Sequence, residues 1–144
     1  MRTLKYNIAI NASKEKVWNT LFTDRNYPKW VKVFAEGAYA KTDWKEGSSV
    51  DFLTPNGDGM FSKIHQKTPN KLMVFNHLGF IKEGKKVYDE KSKAWENAKE
   101  SYELIEKNGN TELYVNMDTT EEYIDYFDKT FPKALKKIKE LSEE

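Results

Sequence analysis

Hydrophobic and polar positions alternate over residues 4 to 10: Leu4, Tyr6, Ile8 and Ile10 share one phase, and Lys5, Asn7 and Ala9 the other. A period of two belongs to a strand covered on one side, so the chain is predicted to open with a strand. The period then changes. Ser13 stands three residues before Lys16 in the position of a helix N-cap, and Val17, Trp18, Leu21 and Phe22 follow at helical spacing. A short amphipathic helix is predicted there. Asp24 and Asn26 interrupt it, and Pro28 disfavours helical geometry at Tyr27, so residues 24 to 30 are expected to form a turn or a second short helix.

From Val31 to Met117 the pattern is strand and turn. Gly37, Gly47, residues 55 to 59, residues 69 to 71, Gly84 and residues 108 to 110 punctuate it, which predicts six further strands near 34–42, 48–54, 59–67, 71–81, 98–107 and 111–118. Connections this short make them antiparallel neighbours. Alternation assigns Val50, Phe52, Met60, Ile64, Tyr102, Leu104, Leu113, Val115 and Met117 to a dry face, opposite Asp51, Lys63, Glu103 and Asn116. Strand 71–81 is apolar in both phases; the reading favours Leu72, Val74, Leu78 and Phe80 as the inner set over Met73, Phe75, His77 and Ile81. Residues 82–97, rich in Lys and Glu, form the one long polar connection and have the composition of a mobile loop.

Beyond Glu121 the period becomes helical again, with Ile124, Phe127, Phe131, Ala134, Leu135, Ile138 and Leu141 in one stripe and Lys133, Lys136, Lys137 and Glu140 outside it. Thr119 or Thr120 is expected to cap this long helix, and Glu121 and Glu122 suit the positive end of its dipole. Pro132 lacks the N–H for one helical hydrogen bond, so a kink or restart is expected near residue 131. No repeat, low-complexity tract or linker divides the chain, and residues 1–144 are expected to form a single domain.

Composition narrows the function classes. A chain of 144 residues can bury roughly 70% of its unfolded surface, enough for a core with a cavity beside it. With 24 Lys and Arg against 23 Asp and Glu, the net charge of +1 supplies no strong field for phosphate backbones or anionic lipid. Neither nucleic acid nor membrane is expected as a partner. Lys5 interrupts the only place where an N-terminal apolar run could form, and the absence of cysteine suits a reducing compartment, so the cytoplasm is the expected location. Aromatic residues stand out at 14% of the chain; large stiff side chains either fill a core or line a concave ligand site.

Catalytic and cofactor signatures are missing. There is no phosphate-binding loop, dinucleotide glycine motif, zinc signature or nucleophile elbow, and Gly57-Asp58-Gly59 reads as a hairpin turn. No cofactor, metal or catalytic residue is expected. His65 shares its phase with Lys63 and Lys67 and is read as solvated; His77 is read as a core or rim histidine or as a polar anchor in a pocket. Acid–base chemistry at His77 needs a second polar group, for which Tyr102, Tyr123 and Glu100 are the available partners. Trp30, Phe52, Met60, Ile64, His77, Tyr102, Met117, Tyr123, Phe127 and Phe131 are the residues expected to meet between sheet and helix, as a filled core or as a ligand pocket.

The order of elements and several local strings carry a family likeness. Ile10 to Trp18 (INASKEKVW) with Pro28 to Trp30, then WKEGSSVDF at 44–52, NGDGM at 56–60, PNKL at 69–72 and HLGFIKEG at 77–84 resemble bacterial members of the SRPBCC superfamily. That superfamily is also called START-like or birch-pollen-allergen-like. The likeness is nearest to its group related to the activator of the ninety-kilodalton heat-shock-protein ATPase (AHSA-type), and it runs from about residue 4 to residue 142. It implies an α+β helix-grip fold: a seven-stranded curved antiparallel sheet around a long C-terminal helix, with two short helices after the first strand. It also implies non-enzymatic binding of a small hydrophobic molecule between sheet and helix. The alternatives are a co-chaperone-like module for a protein partner or, less favoured, a polyketide cyclase-like enzyme, because one fold serves all three.

Overall fold

Strand β1 (Arg2–Ile10) opens the computed structural model, which describes residues 1–144. Leu4 and Ile10 are buried while Lys5, Asn7 and Ala9 are exposed. Helix α1 (Lys14–Leu21) begins where the Ser13 hydroxyl accepts from the Lys16 N–H at 3.2 Å. Helix α2 (Tyr27–Val31) carries Pro28 in its first turn, where a missing N–H costs no helical bond. Then come β2 (Tyr39–Lys41), β3 (Ser49–Leu53), β4 (Gly59–Thr68), β5 (Leu72–Lys82), β6 (Lys85–Val87), α3 (Glu90–Lys93), β7 (Lys99–Lys107) and β8 (Asn110–Thr119). A turn of tighter helix, Glu121–Tyr123, leads into α4 (Ile124–Ser142).

The sheet runs β1-β8-β7-β5-β4-β3-β2, with β6 added beside β5, and its pairings are antiparallel. First and last strands are neighbours, Arg2 opposite Thr119. Helix α4 buries Phe131, Ala134, Leu135 and Ile138 in one core with Val17, Leu21, Val50, Ile64, Tyr102 and Leu113. The arrangement is the helix-grip α+β fold.

The structure departs from the sequence reading at five places. The sheet has eight strands rather than seven, because β6 lies in the connection read as a polar loop. The strand expected over 34–42 shrinks to Tyr39–Lys41: Gly37 takes a positive φ of 79°, and Phe34 turns inward to meet Phe131 at a centroid distance of 5.0 Å. In β5 the inner phase is Met73, Phe75 and His77, all buried, and not Leu72 and Val74. Two bulges explain why no single phase serves: register skips His65 in β4 and Leu78 in β5, after which Phe80 pairs with Met60. An extra residue turns the following side chains to the opposite face. Helix α4 is continuous through Pro132, the burial of Phe131, Ala134 and Leu135 around it outweighing one lost hydrogen bond. Neither threonine caps α4 from its side chain; Thr120 precedes the tighter turn, and its buried hydroxyl has no partner.

The 82–97 segment folds back against β5. Its anchor is Ser92, whose hydroxyl donates to the Val87 carbonyl at 2.5 Å and accepts from the Phe80 N–H at 2.8 Å. Gly79 makes room for it: a Cβ there would lie 2.5 Å from Ser92 Oγ and 2.9 Å from the Phe61 ring. Beyond α3, Trp95 is buried, with its ring 6.0 Å from Phe80 and 5.7 Å from Tyr123. The segment rejoins the sheet through paired backbone bonds, His77 N–H to Ala98 C=O at 2.7 Å and Asn97 N–H to His77 C=O at 2.8 Å.

Candidate ligand-binding cavity

Between the inner face of the sheet and α4 lies a partly open cavity of about 220 Å³, lined by 15 residues of which 12 are hydrophobic. Tyr27, Trp30 and Val31 of α2, with Phe34 beyond it, form one side. Phe52, Met60, His77, Glu100, Tyr102 and Met117 rise from the sheet, Asp118 borders the cavity at the end of β8, Trp95 enters from the segment after α3, and Tyr126, Phe127 and Phe131 descend from α4. The rings cross at steep angles, as Phe52 does on Phe75 (5.2 Å, 89°) and Tyr27 on Trp30 (5.1 Å, 76°). Edge-to-face contacts of this kind stiffen an apolar wall.

Eight of the residues singled out in the sequence border the cavity: Trp30, Phe52, Met60, His77, Tyr102, Met117, Phe127 and Phe131. Ile64 is fully buried in the core beneath it. Tyr123 lines an adjoining groove with Phe80, Trp95 and Phe127. Sequence reasoning did not place Tyr27, Val31, Phe34, Trp95, Asp118 or Tyr126 there. Helical spacing puts Tyr126 beside Phe127 at the edge of the α4 stripe, a signal that was available; nothing in a Lys- and Glu-rich loop marks Trp95 as an inward residue.

The polar end of the cavity is a chain of four side chains. His77 stands opposite Ser62 in the β4–β5 register, and Ser62 Oγ lies 2.7 Å from His77 Nδ1. His77 Nε2 lies 3.1 Å from Glu100 Oε1. Glu100 and Tyr102 are two residues apart on one face of β7, and the Tyr102 hydroxyl donates to Glu100 Oε2. Ser62, 1% exposed, pairs with Nδ1 as its one side-chain partner. A carboxylate only accepts, so the imidazole donates from Nε2 to Glu100.

Burial, and secondarily the nearby Glu100 carboxylate, push the Tyr27 and Tyr102 hydroxyls well above the ordinary tyrosine range. Both remain phenols in the folded protein. Asp118 is turned to the outer face of the sheet, beside Thr3 in the β1–β8 register, where it accepts from the Thr3 hydroxyl at 2.5 Å and the Lys99 N–H at 3.0 Å. Glu100 is thus the one carboxylate that enters the cavity, and no lysine or arginine lines it. The serine, histidine and glutamate mimic the membership of a hydrolytic triad, but Ser62 lies behind His77 and does not border the cavity. The chain orients Glu100 and keeps the Ser62 hydroxyl out of the cavity. No group of three or more His, Asp or Glu side chains converges as a metal site, and no helix is long and apolar enough to cross a membrane.

A curved antiparallel sheet gripping a C-terminal helix over an aromatic cavity defines the SRPBCC class. Within it, the family model described as activator of Hsp90 ATPase homolog 1-like protein matches residues 11–143, and the chain belongs to that family. Among solved structures, the chain is similar to the Aha1 dimer from Colwellia psychrerythraea, determined in solution, with a TM-score of 0.76 and 20% identity over 99% of this chain and 97% of that one. Protein MLL2253 from Mesorhizobium loti gives a TM-score of 0.76 at 14% identity, covering 97% of this chain and 96% of its own. CalU16 from Micromonospora echinospora gives 0.68 at 16% identity, covering 96% of this chain and 72% of its own. A comparison with curated proteins finds no match.

Proposed function

We propose that the protein binds a small, largely hydrophobic molecule in the cavity between the sheet and α4, without transforming it. Family and fold support a module that binds either a ligand or a protein partner. The observation that carries the ligand reading is the cavity itself: about 220 Å³ of space with 12 hydrophobic lining residues closed at one end by an oriented carboxylate. A few fixed polar groups in an apolar concavity are the general design of a small-molecule site. The absence of cysteine supports a cytoplasmic setting for this activity. An environment-sensitive apolar fluorophore should bind the native protein saturably with one site per chain. Met60→Lys, which sets an unpaired charge in the wall, should abolish that signal while circular dichroism stays native. Probe binding unchanged by Met60→Lys would exclude the cavity as the site.

A second reading, a co-chaperone-like role toward an Hsp90-type ATPase, is supported by the family description and by the exposed rings of Tyr88 and Tyr126. ATP turnover by a purified Hsp90-type ATPase, with and without this protein, tests it: no stimulation at saturating protein removes this reading.

A further inference from the structure

The cavity walls carry the Glu100 carboxylate and no lysine or arginine, and this deepens the ligand reading on which it rests. A carboxylate offers about four lone-pair positions. On Glu100, His77 and Tyr102 occupy one each, and the side chain, which borders the cavity, is 14% exposed. Two acceptor positions are therefore left for a ligand. With no lysine or arginine on the walls, a ligand carboxylate or phosphate placed beside Glu100 would meet like charge in a partly desolvated setting, where such repulsion is strong. A ligand ammonium would meet one oriented carboxylate and the faces of surrounding rings, among them Tyr27, Trp30, Phe52 and Phe127, which attract cations. Size sets the rest. A dry cavity of about 150 Å³ accommodates benzene, so one of about 220 Å³ accommodates one or two fused rings with a short arm.

We infer that the cavity takes an arylalkylamine: a one- or two-ring aromatic molecule whose protonated nitrogen is bound by Glu100. The test uses three indoles of nearly equal size, titrated calorimetrically into the full chain: tryptamine with an ammonium on its two-carbon arm, indolepropionate with a carboxylate, and ethylindole with neither. Tryptamine is expected to bind about tenfold tighter than ethylindole and more than that over indolepropionate. Glu100→Gln, which preserves shape and an acceptor oxygen, should erase the preference for the amine while leaving ethylindole affinity within about twofold. The ranking of the three indoles on the native chain tests the inference even where Glu100→Gln does not fold. Equal or tighter binding of ethylindole or indolepropionate by the native chain overturns the inference yet leaves the cavity reading standing. Failure of all three to bind also overturns it, and the fluorophore titration then decides separately whether the cavity binds anything.

Discussion

Ser62 shows how much one buried hydroxyl can fix. It sits 2.7 Å from His77 Nδ1, and removing it leaves a buried ring nitrogen without a partner, which costs about 1–3 kcal/mol. Ser62→Ala is therefore expected to lower the unfolding free energy by that amount in a urea titration; a loss below about 0.5 kcal/mol would mean that the hydroxyl does not hold the ring. The tyrosines supply a pH test. Tyr27 and Tyr102 titrate well above the ordinary value of 10.0 when folded, so the native state holds protons that the unfolded chain releases. Their stabilising contribution is complete below pH 10, the unfolded value, and is lost as pH rises through the folded values. Urea midpoints should fall steeply above about pH 10, and Tyr102→Phe should flatten part of that fall. At this scale the sequence was half legible. His77, Tyr102 and Glu100 could be named as possible partners, but Glu100 looks no different from Glu103 or Glu106 until register sets it beside His77, and Ser62 carries no mark at all. Pairwise register across strands is a long-range property that local pattern does not contain.

Elements were more legible than residues, and the misreadings share a cause. Strict alternation located β1, β3, β7 and β8, and the three-and-four spacing located α4, because each has one wet and one dry side. Strand β5 has apolar residues on both sides: one meets the core and the other is partly covered by the folded 82–97 segment, so the pattern could not choose. The bulges at His65 and Leu78 then break the period within the strand. Helix α4 offers a direct comparison of core and wall. Phe131 is 1% exposed and stacks on Tyr6 at 4.9 Å, and Phe131→Ala should cost about 3–5 kcal/mol. Phe127 is half-buried and already borders empty space, so Phe127→Ala should cost less than half as much while enlarging the cavity. Equal losses for the two variants in parallel denaturant titrations would show that the space beside Phe127 closes in solution.

At the scale of the whole molecule the chain closes on itself. β1 pairs with β8 along its full length, the Tyr6 hydroxyl donates to Asp128 at 2.7 Å, and the Ser142 hydroxyl donates to Thr20 at 3.0 Å. Contacts between residues more than a hundred positions apart thus hold α4 over the sheet, and the cavity is walled by both ends of the sequence together. Such closure argues for one cooperative unit, since no part of the inner face is covered by neighbours in sequence alone. Truncation after Thr119 removes Phe131, Ala134, Leu135 and Ile138 and leaves Ile64, Met73, Phe75, Tyr102, Leu113 and Val115 facing water. An apolar patch of that extent drives association or loss of fixed packing. The truncated chain should be aggregated, or compact with native-like far-ultraviolet circular dichroism, no near-ultraviolet signal and strong binding of a hydrophobic dye. A soluble monomer that unfolds in a single sharp denaturant transition would show that the sheet holds its shape without the helix, and that the cavity is the product of docking rather than of folding.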